Sequence, residues 1–404
     1  MDRAGLVCQE LAHPLTYLRV AVVTETYPPE INGVAMTTGR MVDGLVAAGH
    51  RVDLIRPRQA HEGGSIQLAD GAEGVEEMLS RGIPLPRYAN LQLGLPARKV
   101  LLRRWSVQRP DVVQVVTEGP LGWSALTAAR KLRLPVISEF HTNFHRYSGH
   151  YGVGWLKRPI AAYLRKFHNR ADLTLVPTHA LCGELAEQGI ARVDVVSRGV
   201  DTALFDPARR SASLRRSWGL EEDDLAVVYV GRIAPEKNLA LLEKAFDAIR
   251  ARQPRARLIL VGSGPAAQAL QARQPAAVFC GPRSGPFLAE HYASGDLFLF
   301  PSLTETYGNV VAEALASGLP VVAYRDAAAR ELIEHRVHGW LAEPGDEAAF
   351  VAGAVALAEA PELRSRQRLA ARERVASLAW QAIVERLVTL QRQVILSSPV
   401  TARR

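Results

Sequence analysis

The chain has 404 residues, 48% hydrophobic and 22% charged, an ordinary globular composition but more than one hydrophobic core usually organises, so two domains are expected. Its 49 Lys and Arg against 41 Asp and Glu leave a net charge of +8, which favours phosphates or acidic lipid headgroups as partners; the arginines are scattered and never interleave with aromatics, so no nucleic-acid surface is indicated. Cys8, Cys182 and Cys280 are far apart without CxxC spacing, which argues against a disulfide framework and fits a reducing compartment.

Met1 to Tyr17 has no readable periodicity and lacks the basic region and apolar core of a leader, so 1–17 reads as an extension. No run of about 18 apolar residues occurs anywhere, and a cytoplasmic chain without a membrane span is expected. From Leu18, apolar runs alternate with helical patterns: Arg19 to Val23, Val52 to Ile55, Val112 to Val116, Pro135 to Phe140, Leu173 to Val176 and Val193 to Val196. That rhythm predicts a parallel sheet. Turn formers from Arg198-Gly199-Val200-Asp201 to Asp206-Pro207 interrupt it, and a polar helix follows. It restarts with Leu225 to Val230, Arg257 to Val261, Ala277 to Cys280, Leu297 to Phe300 and Pro320 to Ala323. Two doubly wound sheets are therefore expected, in domains 18–200 and 201–378, with a closing helical segment in 379–404. The ligand should sit between them, beyond the carboxyl ends of the strands.

Two segments at such ends carry chemistry. Val230 runs into Gly231-Arg232-Ile233-Ala234-Pro235-Glu236-Lys237-Asn238, with a helix from about Leu239. Arg232 offers a planar fork and Lys237 a point charge, which together could neutralise a leaving diphosphate without magnesium. The same residues also read as a surface turn with solvated charges. The second segment, Phe300 to Ala314, places Glu305 in a loop and Glu313 about one turn into a helix that starts near Asn309. A carboxylate accepts two hydroxyl hydrogen bonds from a sugar or ribose, and Gly308 lets backbone N–H groups approach an anionic phosphate. Read otherwise, Glu305 stabilises the helix dipole and Glu313 is a solvated helix residue.

Gly231-Arg232 through Lys237-Asn238, and Glu305 and Glu313 as E-x7-E before Ala-Ser-Gly-Leu-Pro-Val-Val, resemble the family 4 retaining glycosyltransferases of the GT-B fold. So do the loop Tyr27-Pro28-Pro29-Glu30-Ile31-Asn32-Gly33-Val34, His141 after its strand, and the linker Arg198 to Pro207. The resemblance runs from about Leu18 to the final helix. It implies an α/β chain with two Rossmann-like doubly wound domains facing a central cleft. It also implies transfer of a hexose, mannose or glucose, from a GDP- or UDP-linked donor to a lipid or glycan acceptor. Configuration would be retained, with no metal and no cofactor beyond the nucleotide sugar. Arg232 and Lys237 would hold the diphosphate, Glu305 the transferred sugar and Glu313 the ribose. Backbone N–H groups would come from Thr306, Tyr307, Gly308, Asn309 and Val310. Gly33 would let its loop approach the phosphates, His141 would sit at the sugar's reacting face as a further catalytic residue, and the helix Trp380 to Ile395 would cross back onto the first domain. Asn32 stands where many members carry a second glycine, and Ala327-Ala328-Ala329 where a Gly-Gly pair is frequent. The stretch from His141-Thr142-Asn143-Phe144-His145 to Tyr151 is similar to bacterial mannosyl- and glucosyltransferases.

Other readings compete. His141, His145 and His150 fall within ten residues, but a zinc protease helix would need a glutamate between the first two. Gly262-Ser263-Gly264-Pro265-Ala266-Ala267 imitates a dinucleotide fingerprint, yet lacks an acid about 20 residues on. A nucleotide-sugar 2-epimerase of the same architecture would need an acid and base at the sugar's C2, and no dedicated pair is visible. A non-catalytic sugar-nucleotide-binding protein should have lost Arg232, Lys237 or Glu305, and all are present. Trp155 to Phe167 mixes bulky apolar and cationic residues at helical spacing, which suits peripheral contact with an anionic inner membrane or packing on the first sheet.

Overall fold

The computed structural model describes residues 16–30, 32–59, 62, 68–70, 73–85, 88–141, 157–303, 305, 307–376 and 378–398. The first half runs β1 (Arg19–Val23), α1 (Gly33–Ala47), β2 (Arg51–Pro57), β3 (Leu68–Asp70), β4 (Val75–Ser80), β5 (Gly82–Leu85) and β6 (Tyr88–Gly94). It continues with α2 (Arg98–Val107), β7 (Val112–Val115), α3 (Pro120–Lys131), β8 (Val136–Glu139), α4 (Lys157–His168), β9 (Leu173–Val176), α5 (His179–Glu187) and β10 (Val193–Val195). The second half begins with α6 (Ala212–Ser217), β11 (Ala226–Val230), α7 (Leu239–Arg252), β12 (Arg257–Val261), α8 (Ala267–Arg273), β13 (Val278–Gly281) and α9 (Gly285–Ala293). Then come β14 (Leu297–Phe300), α10 (Asn309–Ala316), β15 (Val321–Tyr324), α11 (Ala327–Leu332), β16 (Gly339–Ala342), α12 (Glu347–Glu359), α13 (Pro361–Val375) and α14 (Trp380–Ser397).

The strands form two sheets, ordered β10-β9-β8-β7-β1-β2-β4-β3 and β13-β12-β11-β14-β15-β16, with β5 and β6 in a separate ribbon. The first is parallel except where β3 meets β4, and every pair of the second is parallel. Strands buried on both faces are apolar along most of their length. In β1, Val20 and Val22 face Met41 and Leu45 of α1, whereas Ala21 and Val23 face Leu101 and Trp105 of α2. In β11, Val228 and Val230 pack with Val311 and Leu315 of α10, and Val227 and Tyr229 with Leu242 and Phe246 of α7. The period-two alternation thus gives each sheet a helical layer on both sides.

Helix α14 does not pack on the second sheet. Its Ile383, Val384, Leu387, Leu390 and Val394 join the β1, β2 and α1 cluster of the first half, each worth about 1.5–3 kcal/mol of burial. A Cβ on Gly44 of α1 would lie 2.4 Å from Val384 Cγ2, so the two helices touch backbone to side chain. The amphipathic α4 buries Leu164 and Phe167 and leaves Arg158, Arg165 and Lys166 exposed. Its Tyr163 and Phe167 rings lie 5.7 and 5.9 Å from the Trp123 ring of α3, with the Arg170 guanidinium 5.1 Å over the indole. Among the described residues no helix is long and apolar enough to cross a membrane.

The apolar pattern did not reveal β3 to β6 or β16. Strand β4 follows Val75 with Glu76 and Glu77, which pair with Arg19, Arg104 and Arg56, so ion pairs interrupt the apolar run. Strand β16 opens on Gly339, where a Cβ would lie 2.1 Å from the Val321 carbonyl oxygen.

Candidate functional site

Each sheet has a point where its connections leave in opposite directions: between β1 and β7, and between β11 and β14. The crevices past these carboxyl ends are where an open parallel sheet binds ligand. A surface hollow lined by Arg19, Arg51, Val52, Gly74, Val75 and Glu76 is at the amino ends of β1, β2 and β4, the opposite edge.

Past β11 the backbone is held by its neighbour. Gly231 N donates to Val261 O at 3.0 Å, and Ile233 N to Ser263 O at 2.9 Å. A Cβ on Gly262 would lie 1.9 Å from Gly231 O, and one on Gly264 2.2 Å from Ile233 O. The dinucleotide-like glycines are therefore explained by two loops packing backbone to backbone. The Arg232 carbonyl accepts from Tyr229 Oη at 2.9 Å, and its guanidinium meets Glu236 Oε1 at 3.0 Å. A short turn, Pro235–Lys237, then places the Lys237 ammonium against Glu305 Oε1.

Glu305 comes from the loop past β14 and also accepts from Ser302 Oγ at 2.8 Å. Its ion pair with Lys237 leaves both side chains 15% exposed. Gly308, at φ +89°, caps the amino end of α10, whose first N–H groups have no intrahelical partner. Asn309 reaches the first half, its Nδ2 lying 3.4 Å from Thr37 Oγ1 and 3.8 Å from where a Cβ on Gly33 would sit. The amino end of α1 thus meets the amino end of α10. Val310 packs against the core, and the buried Tyr307 turns its hydroxyl to Ser197 Oγ and the Arg198 carbonyl, each at 3.4 Å. Glu313 accepts from Tyr292 Oη at 2.9 Å, and burial pushes its carboxyl up to about 7.

His141 is 7% exposed at the carboxyl end of β8. Its Nε2 lies 2.7 Å from Glu139 Oε2, and its Nδ1 faces the Arg198 guanidinium. Burial and the Arg198 charge hold the imidazole below its ordinary value. Thr306, His145 and His150 lie outside the described residues, and with the latter two the rest of the zinc reading.

Pattern reading passed over several polar groups here. Glu25 and Glu118 stand just past β1 and β7. Glu25 Oε1 accepts from Leu121 N, the start of α3, at 3.0 Å. Burial pushes its carboxyl up to about 7, the Leu121 N–H opposing and the Glu118 charge adding. A Cβ on Gly119 would lie 2.1 Å from both Glu25 oxygens. The readable signal was an acid within three residues of a strand's carboxyl end. The two departures in the resemblance have local effects. Asn32 Oδ1 caps α1 by accepting from Ala35 N at 2.9 Å, and Ala327 takes φ +45°, a left-handed conformation that glycine adopts freely.

Residues 31–204 match a family model described as Glycosyltransferase Family 4, and residues 224–360 one described as Glycosyl transferases group 1. A GDP-mannose-dependent alpha-mannosyltransferase of Mycobacterium tuberculosis is 36% identical over 374 residues, covering 92% of this chain and 95% of the relative. This chain belongs to glycosyltransferase family 4. An alpha-monoglucosyldiacylglycerol synthase of Streptococcus pneumoniae is 24% identical over 80% of this family 4 chain and 75% of its own length. The solved sucrose-phosphate synthase of Thermosynechococcus elongatus superposes with a TM-score of 0.77, at 19% identity over 94% of this chain and 100% of its own, a likeness of fold. The family 4 chain is thus a GT-B glycosyltransferase that uses a nucleotide-sugar donor, and the epimerase and silent-binder readings are not favoured.

Proposed function

We propose that this glycosyltransferase moves mannose from GDP-mannose to a lipid or glycan acceptor, with retention of configuration and without a metal ion. The reading rests on the contact between Lys237 and Glu305, which sets a cation and a sugar-binding carboxylate side by side at the second sheet's switch point. The donor assignment draws on the mannosyltransferase relative, and the lipid option on the diacylglycerol-glucosylating one.

In this reading the pyrophosphate lies between Arg232, Lys237 and the amino end of α10. The fork of Arg232 and the ammonium of Lys237 take up the charge that grows on the leaving phosphate, the part a divalent cation plays elsewhere. The N–H groups from Tyr307 to Val310 add the helix end, and Gly33 leaves room for close approach. Glu305 orders the hexose hydroxyls, and Glu313 accepts from the ribose. The acceptor oxygen attacks on the face the diphosphate leaves, so no carboxylate nucleophile is needed. His141 borders that face as a fixed ring. The exposed Arg158, Arg165 and Lys166 of α4 suit a peripheral position on an anionic cytoplasmic membrane face.

The test is a nucleotide-release screen of GDP-mannose, UDP-glucose, UDP-galactose and UDP-N-acetylglucosamine, with and without EDTA. GDP-mannose turnover that EDTA leaves intact is expected. Loss of turnover in EDTA overturns metal independence, and preference for a UDP sugar overturns the donor assignment.

A further inference from the structure

A line of buried polar side chains crosses the molecule from its last helix to the cleft. Gln391 of α14, with no exposed surface, donates from Nε2 to Gln114 Oε1 of β7 at 2.7 Å. Gln114, 1% exposed, donates to Glu139 Oε1 at the end of β8. Glu139 Oε2 lies 2.7 Å from His141 Nε2 and 3.9 Å from Arg198 Nη1. Arg198 Nη2 meets His141 Nδ1, and the Arg198 carbonyl accepts from Tyr307 Oη, one residue before the Gly308 cap of α10.

Chemistry fixes the direction of each bond. A guanidinium has donors and no acceptor, so His141 Nδ1 must present a lone pair to Arg198. The ring proton then sits on Nε2, facing a carboxylate that can only accept. With Glu139 accepting, Gln114 must turn its NH2 towards it and keep its oxygen for Gln391. Such a network is not needed for stability, since well-packed apolar residues of similar volume would serve a core as well or better. It does fix orientation, because polar contacts made in a low-dielectric interior leave their partners few alternatives.

We propose that Glu139 and Arg198 are positioning residues that lock His141 as a neutral imidazole with its proton on Nε2, and that Gln114 and Gln391 anchor Glu139 to the crossing helix. Both ring nitrogens are then engaged within the protein, so His141 serves as a fixed wall of the sugar site and not as a proton carrier. Docking of α14 is coupled to the geometry of the cleft through side chains that touch no substrate. The kinetic consequence rests on the sugar-transfer reading; the tautomer does not.

The experiment uses the full chain labelled with 15N at histidine, with His141→Gln to assign the His141 signals. At pH 7 the wild-type ring is expected to be neutral with its proton on Nε2. Glu139→Gln leaves one carbonyl oxygen for two donors, Gln114 and His141, so the His141 signals should shift. Its kcat should fall about tenfold or more while donor Kd changes less than about twofold. Gln391→Leu should lower kcat by about threefold in the same pattern, and Glu139→Asp, which keeps the charge, should recover part of the loss. A wild-type His141 that is charged or protonated on Nδ1 overturns the proposal, as does a Glu139→Gln variant with unchanged kcat or with kcat and donor affinity falling together. If Glu139→Gln does not fold, the wild-type tautomer decides. A wild-type protein that turns over no nucleotide sugar sinks the transfer reading and leaves the tautomer result standing.

Discussion

Lys237 and Glu305, 68 residues apart in sequence, share a partly buried ion pair whose carboxylate Ser302 also holds. Two groups assigned to different parts of one donor molecule are thus within touching distance before it arrives. An incoming pyrophosphate has to share the ammonium with Glu305, which places the phosphate next to the carboxylate that would order the hexose. Lys237→Ala should cut turnover by about 10² to 10³, the usual effect of removing one donor aimed at developing charge. Nucleotide release by the purified variant checks this, with circular dichroism to show an intact fold. Wild-type-like turnover would contradict the phosphate role.

Glu25 should make stability depend on pH. Its carboxyl titrates near 7 when folded against an ordinary 4.5, so the folded state binds the proton more tightly. That contribution is fully present below about pH 4.5 and is lost as pH rises through 7. Between pH 5 and pH 8 the wild type should lose on the order of 2 kcal/mol relative to Glu25→Gln. Urea unfolding of both proteins at the two pH values measures it, and a constant difference would refute the burial argument.

Gly262 sits at φ +141° with the Gly231 carbonyl oxygen where a Cβ would be. Gly262→Ala must push the Arg232 loop away or unfold it locally. A cost of about 3 kcal/mol is expected, a fall in Tm of about 6 °C or more. Turnover should drop with it, because the displaced strand end carries Arg232. A melting temperature within about 2 °C of wild type would show that the loops tolerate separation.

Ala327 pays for its left-handed backbone. Relief of that strain by glycine is worth about 1–2 kcal/mol, against about 0.4–1 kcal/mol for the added freedom of the unfolded chain. Ala327→Gly should therefore stabilise by about 0.5–1 kcal/mol. Chemical denaturation tests the sign, and destabilisation would mean that the Cβ packs better than its backbone suggests.

Much of this was legible in the sequence because the central strands are buried on both sides and are mostly apolar. Val20 to Val23 and Val227 to Val230 could hardly be anything else. The glutamates of E-x7-E and the Arg232 and Lys237 cations stood out as a group through the family resemblance, since alone each also reads as a solvated charge. The edge of the first sheet was hidden by the ion pairs of Glu76 and Glu77. Glu139 was hidden differently: it ends a strand otherwise read as apolar, and the bonds that anchor it, Gln114 to Glu139 and Gln391 to Gln114, span 25 and 277 residues of sequence. Such partnerships exist only once the sheet and the crossing helix have assembled.

The most direct measurement is a crystal structure of the protein with GDP-mannose or GDP. The pyrophosphate is expected between Arg232, Lys237 and the amino end of α10, with the Gly33 end of α1 closed over it and the mannose against Glu305. A nucleotide bound elsewhere, with Lys237 still paired only to Glu305, would contradict the proposed site.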